Sequence, residues 1–354
     1  MLLLMGFACT DDYIDDINYV EPGPDETAPA VQISFPAEGT LIRVTENVTS
    51  IDIKFEVTDD IEIQDISIMM DGTEIGSYDN FLDYRRAIIE HPYDNVTNGQ
   101  HTLTITAKDM SGKSTSSVVN FEKAEPYQPV YDGEIFYLPF DGEYLELVTI
   151  TEATEVGNPG FAGQSVDGTN AYAGANGAYL TFPTTGLLNS EFSAAFWYKI
   201  NASPDRAGIL VIGPPDEANP TAMNNRTEGF RLFREGSGTR QTFKLNVGNG
   251  SADSWFDGGD AASINPTVTN DWIHIAFTIS SSECVVYING EVVKQGSFSG
   301  VGWDGCDILS IASGAPRFTQ WNHLSDLSYM DELRIFNKAL SQEEVQNIMS
   351  DELP

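Results

Sequence analysis

Three tryptophans in the second half of the chain carry the first chemical signal. Trp255, Trp303 and Trp321 each have Gly, Asp or Asn close by, which places them in or near loops, where an exposed indole is unusual without a purpose. An indole face stacks on the apolar C–H face of a sugar ring, while sugar hydroxyls need planar polar partners. Arg226, Arg231, Asn246 and Arg317 supply such groups in the same stretch. The alternative is that these indoles cap the edges of a β structure. His323 lies two residues from Trp321 and joins the candidate set. His101 and His274 sit in strand patterns and read as packing residues. His91, Arg85 and Arg86 fall in a long irregular stretch and read as a solvated loop. Nothing matches Gly-x-Ser-x-Gly, His-Glu-x-x-His or a phosphate loop, so the common hydrolase and nucleotide motifs are absent.

The elements that position these residues belong to a chain of 354 residues, long enough for about two domains. Lys plus Arg number 18 against 53 Asp plus Glu, a net charge of −35. Such a surface repels phosphates, which argues against nucleic acid and against electrostatic adhesion to anionic lipid. Hydrophobic residues make up 41% and aromatics 11%, enough for packed cores. No apolar run reaches the ~20 residues of a membrane span.

The first nine residues, Met-Leu-Leu-Leu-Met-Gly-Phe-Ala-Cys, are apolar and end at Cys9. They resemble the end of a bacterial lipoprotein signal, in which the cysteine carries the lipid. Residues 10–27 hold seven acidic groups and no basic one, which reads as an extended tether. Acid residues just after such a cysteine resemble the surface-export signal of Bacteroidetes lipoproteins. That resemblance implies a lipid-anchored protein on the extracellular face of the outer membrane. Of the other cysteines, Cys284 and Cys306 form one disulfide in an exported domain or remain two buried thiols.

From residue 28 to 123 short alternating runs follow one another: Val31, Ile33 and Phe35; Ile51, Ile53, Phe55 and Val57; Ile66, Ile68 and Met70 before Asp71-Gly72; Leu103, Ile105 and Ala107 before Asp109-Met110-Ser111-Gly112. About seven strands over this length predict a β-sandwich. The segments 104–114 and 71–75 resemble hairpins of bacterial immunoglobulin-like domains, which implies a spacer. Pro126 and Pro129 mark a stiff linker over 124–132.

Residues 133–354 are again β-patterned and too long for one immunoglobulin sandwich. Ile275, Phe277 and Ile279 alternate as a half-buried strand does. Asn289-Gly290 is a hairpin turn, and Ser341-Gln-Glu-Glu344 is a capping box opening a short helix. The segments 271–279 and 285–293 resemble the central strands of laminin-G/concanavalin A-like domains. Residues 330–345 resemble their closing strand and helix, and 137–142 with 163–168 their opening strands. The fold class is therefore all-β: an N-terminal immunoglobulin-like sandwich, then a concanavalin A-like jelly roll with a short C-terminal helix.

That resemblance implies several expectations. Trp197 and Trp272 match core positions. Many relatives hold a structural Ca²⁺ where first and last strands meet, and Asp141 and Asp331 match its carboxylate positions. Glycanases of this fold carry Glu-x-Asp-x-x-Glu; Glu143-Tyr-Leu-Glu146 lacks the middle Asp. The expectation is a non-enzymatic surface lipoprotein that binds a glycan beside a TonB-dependent transporter and its starch-utilisation-type lid lipoprotein. The rivals are a structural subunit of such a complex without its own ligand, a glycoside hydrolase with an unfamiliar carboxylate pair, and an adhesin.

Overall fold

The computed structural model describes residues 23–353; Cys9 and the tether up to residue 22 lie outside them. The chain divides into two compact units, the first ending at Glu125 and the second beginning at Pro126.

The first unit packs two sheets around one core. Strands Ala30–Phe35, Val48–Thr58 and Arg86–Thr97 form one; Leu41–Ile42, Ser114–Lys123, Gly99–Asp109, Ile63–Met70 and Thr73–Tyr78 form the other. The alternating residues meet inside, with Ile53, Val57, Ile66, Ile68, Leu103 and Ile105 fully buried. The stretch read as a solvated loop is largely strand. Arg86 opens it and pairs with Glu56 at 2.6 Å, and His91 Nδ1 lies 3.0 Å from Tyr78 Oη. Cross-strand partners thus order a sequence whose polar composition reads as loop. The tether's last residues are also held: Glu26 N–H and Thr27 Oγ1 donate to Asp60.

The second unit is a sandwich of two large sheets. The front sheet runs, in spatial order, Thr154–Val156, Tyr179–Pro183, Ile308–Ile311, Arg206–Ile212, Phe230–Ser237, Arg240–Gly248 and Asp253–Asp257. The back sheet runs Gly160–Phe161, Tyr172–Ala173, Tyr329–Phe336, Phe192–Lys199, Ile273–Ile279, Glu283–Ile288 and Glu291–Ser297, with Glu134–Leu138 also pairing the Tyr329–Phe336 strand. Between the sheets lie Phe192, Phe196, Phe230, Leu232, Phe243, Leu245, Phe277 and Ile275.

The strand Ile273–Ile279 is buried at every position, not on alternate ones. Its second face is covered by the helix Gln342–Asp351, whose Val345 and Ile348 pack with Leu340 on Ala195, Ala276, Val285 and Tyr287. The capping box is present: Ser341 accepts from Glu344 N–H, and Glu344 accepts from Ser341 N–H at 2.8 Å. Asn289 and Gly290 form the hairpin turn with φ of 52° and 74°, the left-handed values such a turn requires.

Residues expected as a linker are partly tied to this unit. Glu134 accepts from the N–H groups of Val130 and Tyr131 and from Tyr127 Oη. It also pairs with Arg334, which binds Glu332 and Glu352 as well, at 2.7–2.9 Å. One buried guanidinium thereby joins the first strand, the last strand and the end of the helix. Cys284 and Cys306 are free thiols, so the expected disulfide does not form. Each is instead an apolar filler of the inter-sheet core, and burial pushes the Cys306 thiol up to about 12.

A candidate ligand groove on the front sheet

Antiparallel register fixes which side chains share the outward face of the front sheet. Arg206 pairs with Glu235, and Phe233 with Lys244, which pairs with Asp257. Arg231 pairs with Asn246, which pairs with Trp255. The intervening residues, Leu232, Phe243, Leu245 and Phe256, point into the core. The loop before Tyr329–Phe336 adds Trp321 and His323. Together these form a groove of about 500 Å³ lined by Arg206, Phe233, Glu235, Lys244, Trp255, Asp257, Trp321 and His323.

The two indoles are its most accessible apolar surface, with Trp255 43% and Trp321 36% exposed. Trp255 stands in a strand, not a loop. Their ring centroids lie 6.4 Å apart at 48°. The Arg226 guanidinium covers both, 5.6 Å from Trp255 and 5.1 Å from Trp321, a cation–π arrangement. Arg226 is itself oriented: its Nε donates to Asp253 at 3.1 Å, and buried Asn246 donates to the same oxygen at 2.8 Å. The indoles are therefore held by a chain of polar contacts that begins under the groove.

The polar floor centres on Lys244, whose Nζ lies 2.8 Å from Glu235 and 2.9 Å from Asp257. Burial works to raise both carboxyls, but the Lys244 ammonium outweighs it and holds them below their ordinary range. His323 is buried between Phe318, stacked at 5.0 Å, and Phe233, edge-on at 4.4 Å. Its Nε2 lies 3.3 Å from Glu235. Burial pushes the imidazole down to about 4, against the pull of Glu235, so it is neutral at physiological pH.

Of the residues singled out in the sequence, Trp255, Trp321, Arg226 and His323 converge here. Arg231 and Asn246 lie beneath, fully buried; Arg231 donates to the carbonyls of Glu228 and Asn225 and braces the loop that carries Arg226. Arg317 pairs with Asp307 at 2.7 Å outside the groove lining. Trp303 packs against Phe192 and Phe230 and donates to Asn189 O at 2.8 Å. It caps the core edge and does not reach the groove. Arg206, Phe233, Glu235, Lys244 and Asp257 were not singled out. Only Lys244 carried a pattern signal, as the middle of the polar residues Thr242, Lys244 and Asn246 that alternate with Phe243 and Leu245 and so mark one sheet face.

Residues 174–346 match the family model of the concanavalin A-like lectin/glucanases superfamily, and residues 29–105 match the model of a bacterial Ig domain. The chain carries a bacterial Ig domain followed by a concanavalin A-like domain. No curated protein matches. Among solved structures, domain 4 of an extracellular arabinanase from Geobacillus stearothermophilus, in complex with arabinotriose, is 17% identical at a TM-score of 0.46, covering 61% of this chain and 99% of that one. The receptor binding domain of botulinum neurotoxin C/D mosaic serotype is 16% identical at a TM-score of 0.45, covering 62% of this chain and 51% of that one. This chain thus spans about half the length of the neurotoxin domain that it matches.

The concanavalin A-like domain also brings its first and last strands together as expected, with Leu138 opposite Leu333. Asp331 Oδ2 accepts from Val166 N–H at 2.6 Å, while Asp331 Oδ1 is buried without a partner. Burial pushes this carboxyl up to about 8, and the charges of Glu332 and Asp141 add to the rise. Asp141 accepts from Asn170 N–H at 3.1 Å and Thr169 Oγ1 at 3.0 Å. An orphaned buried carboxylate oxygen among further acids fits a hard cation. Among the described residues no three His, Cys, Asp or Glu side chains are grouped to share a metal, so backbone oxygens would complete the shell.

Proposed function

We propose that the concanavalin A-like domain binds a glycan in the front-sheet groove, without chemistry. The observation that carries this reading is the pair of half-exposed indoles, fixed by Arg226, above a floor of ordered polar groups. The indoles offer stacking faces, and the floor offers hydrogen bonds that need no rearrangement on binding.

The same floor argues against a glycoside hydrolase. That reaction needs one protonated carboxyl to donate to the leaving oxygen. Lys244 favours the ionised form of both Glu235 and Asp257, and His323 is buried and neutral. Both carboxyls are thus biased away from the protonated form that a general acid needs.

The sequence supports a wider setting: lipid attachment at Cys9, display on the extracellular face of the outer membrane, an Ig domain as spacer, and work beside a TonB-dependent transporter and its lid lipoprotein. A lipid anchor raises local concentration, so modest affinity suffices. A structural Ca²⁺, held by Asp141 and Asp331, would neutralise the buried acids where the first and last strands meet.

The test is the full chain on a broad polysaccharide and glycan array, beside Trp321→Ala and Trp255→Ala. Retention by the parent protein that both variants lose is expected. Silence on every glycan, with the fold intact, would refute the reading and favour a structural subunit of the transporter complex.

A further inference from the structure

Charges around the groove alternate instead of accumulating. Arg206 faces Glu235 across one strand pair, Lys244 faces Asp257 across another, and Lys244 is shared between both carboxylates. Arg226 over the indoles is paired with Asp253 at 3.1 Å, so three cations stand against three anions, and buried His323 adds no charge. This balance stands in a chain whose net charge is −35.

Each of these groups keeps spare capacity. Lys244 uses two of its three N–H donors on the carboxylates. The Glu235 oxygens are engaged once each, by Lys244 and His323. The Asp257 oxygens are likewise engaged once each, by Lys244 and Gly259 N–H. Arg206 spends one N–H on Trp321 O at 3.2 Å. The groove therefore presents donors and acceptors in alternation, each already oriented by a neighbour.

We propose that this groove selects uncharged glycans, whose vicinal hydroxyls both donate and accept, and rejects glycans bearing carboxylate or sulfate. The inference rests on the glycan-binding reading and adds its ligand class. A hydroxyl pair bridges Lys244 to Glu235 or Asp257 without disturbing the ion pairs. An anionic group reaching Lys244 meets two carboxylates already bound there, and the acidic surface repels it on approach. Neutral stacking on Trp255 and Trp321 carries no such opposition.

The full chain is to be titrated against neutral polysaccharides (arabinan, galactan, mannan, xyloglucan, mixed-linkage glucan) and acidic ones (polygalacturonate, alginate, chondroitin sulfate) at 50 and 500 mM NaCl. Binding to at least one neutral polymer and to no acidic one is expected, changing less than about twofold with salt, because no net ligand charge is screened. Binding to an acidic polymer that weakens about tenfold or more with salt overturns the ligand class and leaves glycan binding standing. Equal binding of neutral and acidic polymers also overturns it. Binding to none removes the glycan reading and this inference with it. Glu235→Gln combined with Asp257→Asn leaves the groove two units more positive. It is expected to weaken neutral binding about tenfold or more and to gain salt-sensitive retention on acidic polymers. Should that variant fail to fold, the panel and salt comparison on the parent chain decide alone.

Discussion

Replacing His274 by Leu offers a sharp test of the physical reasoning. His274 is fully buried in the back sheet, edge-on to Trp197 at 5.2 Å, and neither ring nitrogen has a partner. Burial alone pushes the imidazole down from 6.5 to about 3. Unfolding therefore takes up a proton at this site wherever the pH lies between those values. Protonation of the unfolded chain drains stability as pH falls below 6.5, at about 1.4 kcal/mol per unit. Between pH 7 and pH 5 the loss from this one group is about 2 kcal/mol. Leu removes the titration and the orphaned donor together. The variant should match the parent within about 1 kcal/mol at pH 7 and exceed it by about 2 kcal/mol more at pH 5. Urea unfolding followed by tryptophan fluorescence measures this directly, because all five tryptophans lie in the second unit. Other buried groups titrate too: His323 in the same direction, and Glu352, which burial raises to about 7, in the opposite one. They are common to both proteins and cancel in the difference. Parallel pH dependences for parent and variant would refute the argument.

Three further outcomes are expected. Trp321→Ala or Trp255→Ala should weaken glycan binding about tenfold or more, ~1.4 kcal/mol, whereas Trp303→Phe should lower the melting temperature and leave affinity unchanged; calorimetry and thermal unfolding separate the two. Calcium should raise Tm relative to EGTA, by about 2.7 kcal/mol of stability at a hundredfold excess over Kd, and Asp331→Asn should abolish that rise. Maleimide should modify Cys284 and Cys306 only after denaturation, and reductant should leave Tm unchanged, since both are buried free thiols.

The sequence made the β-sandwiches, the hairpin at Asn289-Gly290 and the capped helix legible because each rests on local rules: period two, a left-handed turn, a capping box. The second buried face of Ile273–Ile279 was not legible, since the helix that covers it lies some 70 residues downstream. The groove was half legible. Indoles beside Gly, Asp and Asn drew attention to Trp255 and Trp321, and equally to Trp303, whose neighbours look the same but whose ring turns inward. Glu235, Lys244 and Asp257 are ordinary strand residues until register sets them side by side, and that register depends on where the two short turns between the three strands close. Arg231 and Arg317 show the converse. A charged side chain in the right stretch was as apt to brace a loop or pair with an acid as to face a ligand.

The Arg334 cluster has a mechanical consequence. It clamps Tyr127 and Glu134 near the start of the second unit to Glu352 at its end, and Glu352 accepts from Trp197 on the back sheet. The groove occupies the outward face of the other sheet. Tension arriving through residue 126 is therefore received by the back sheet's buried ion cluster, not by the strands that set the spacing of the two indoles.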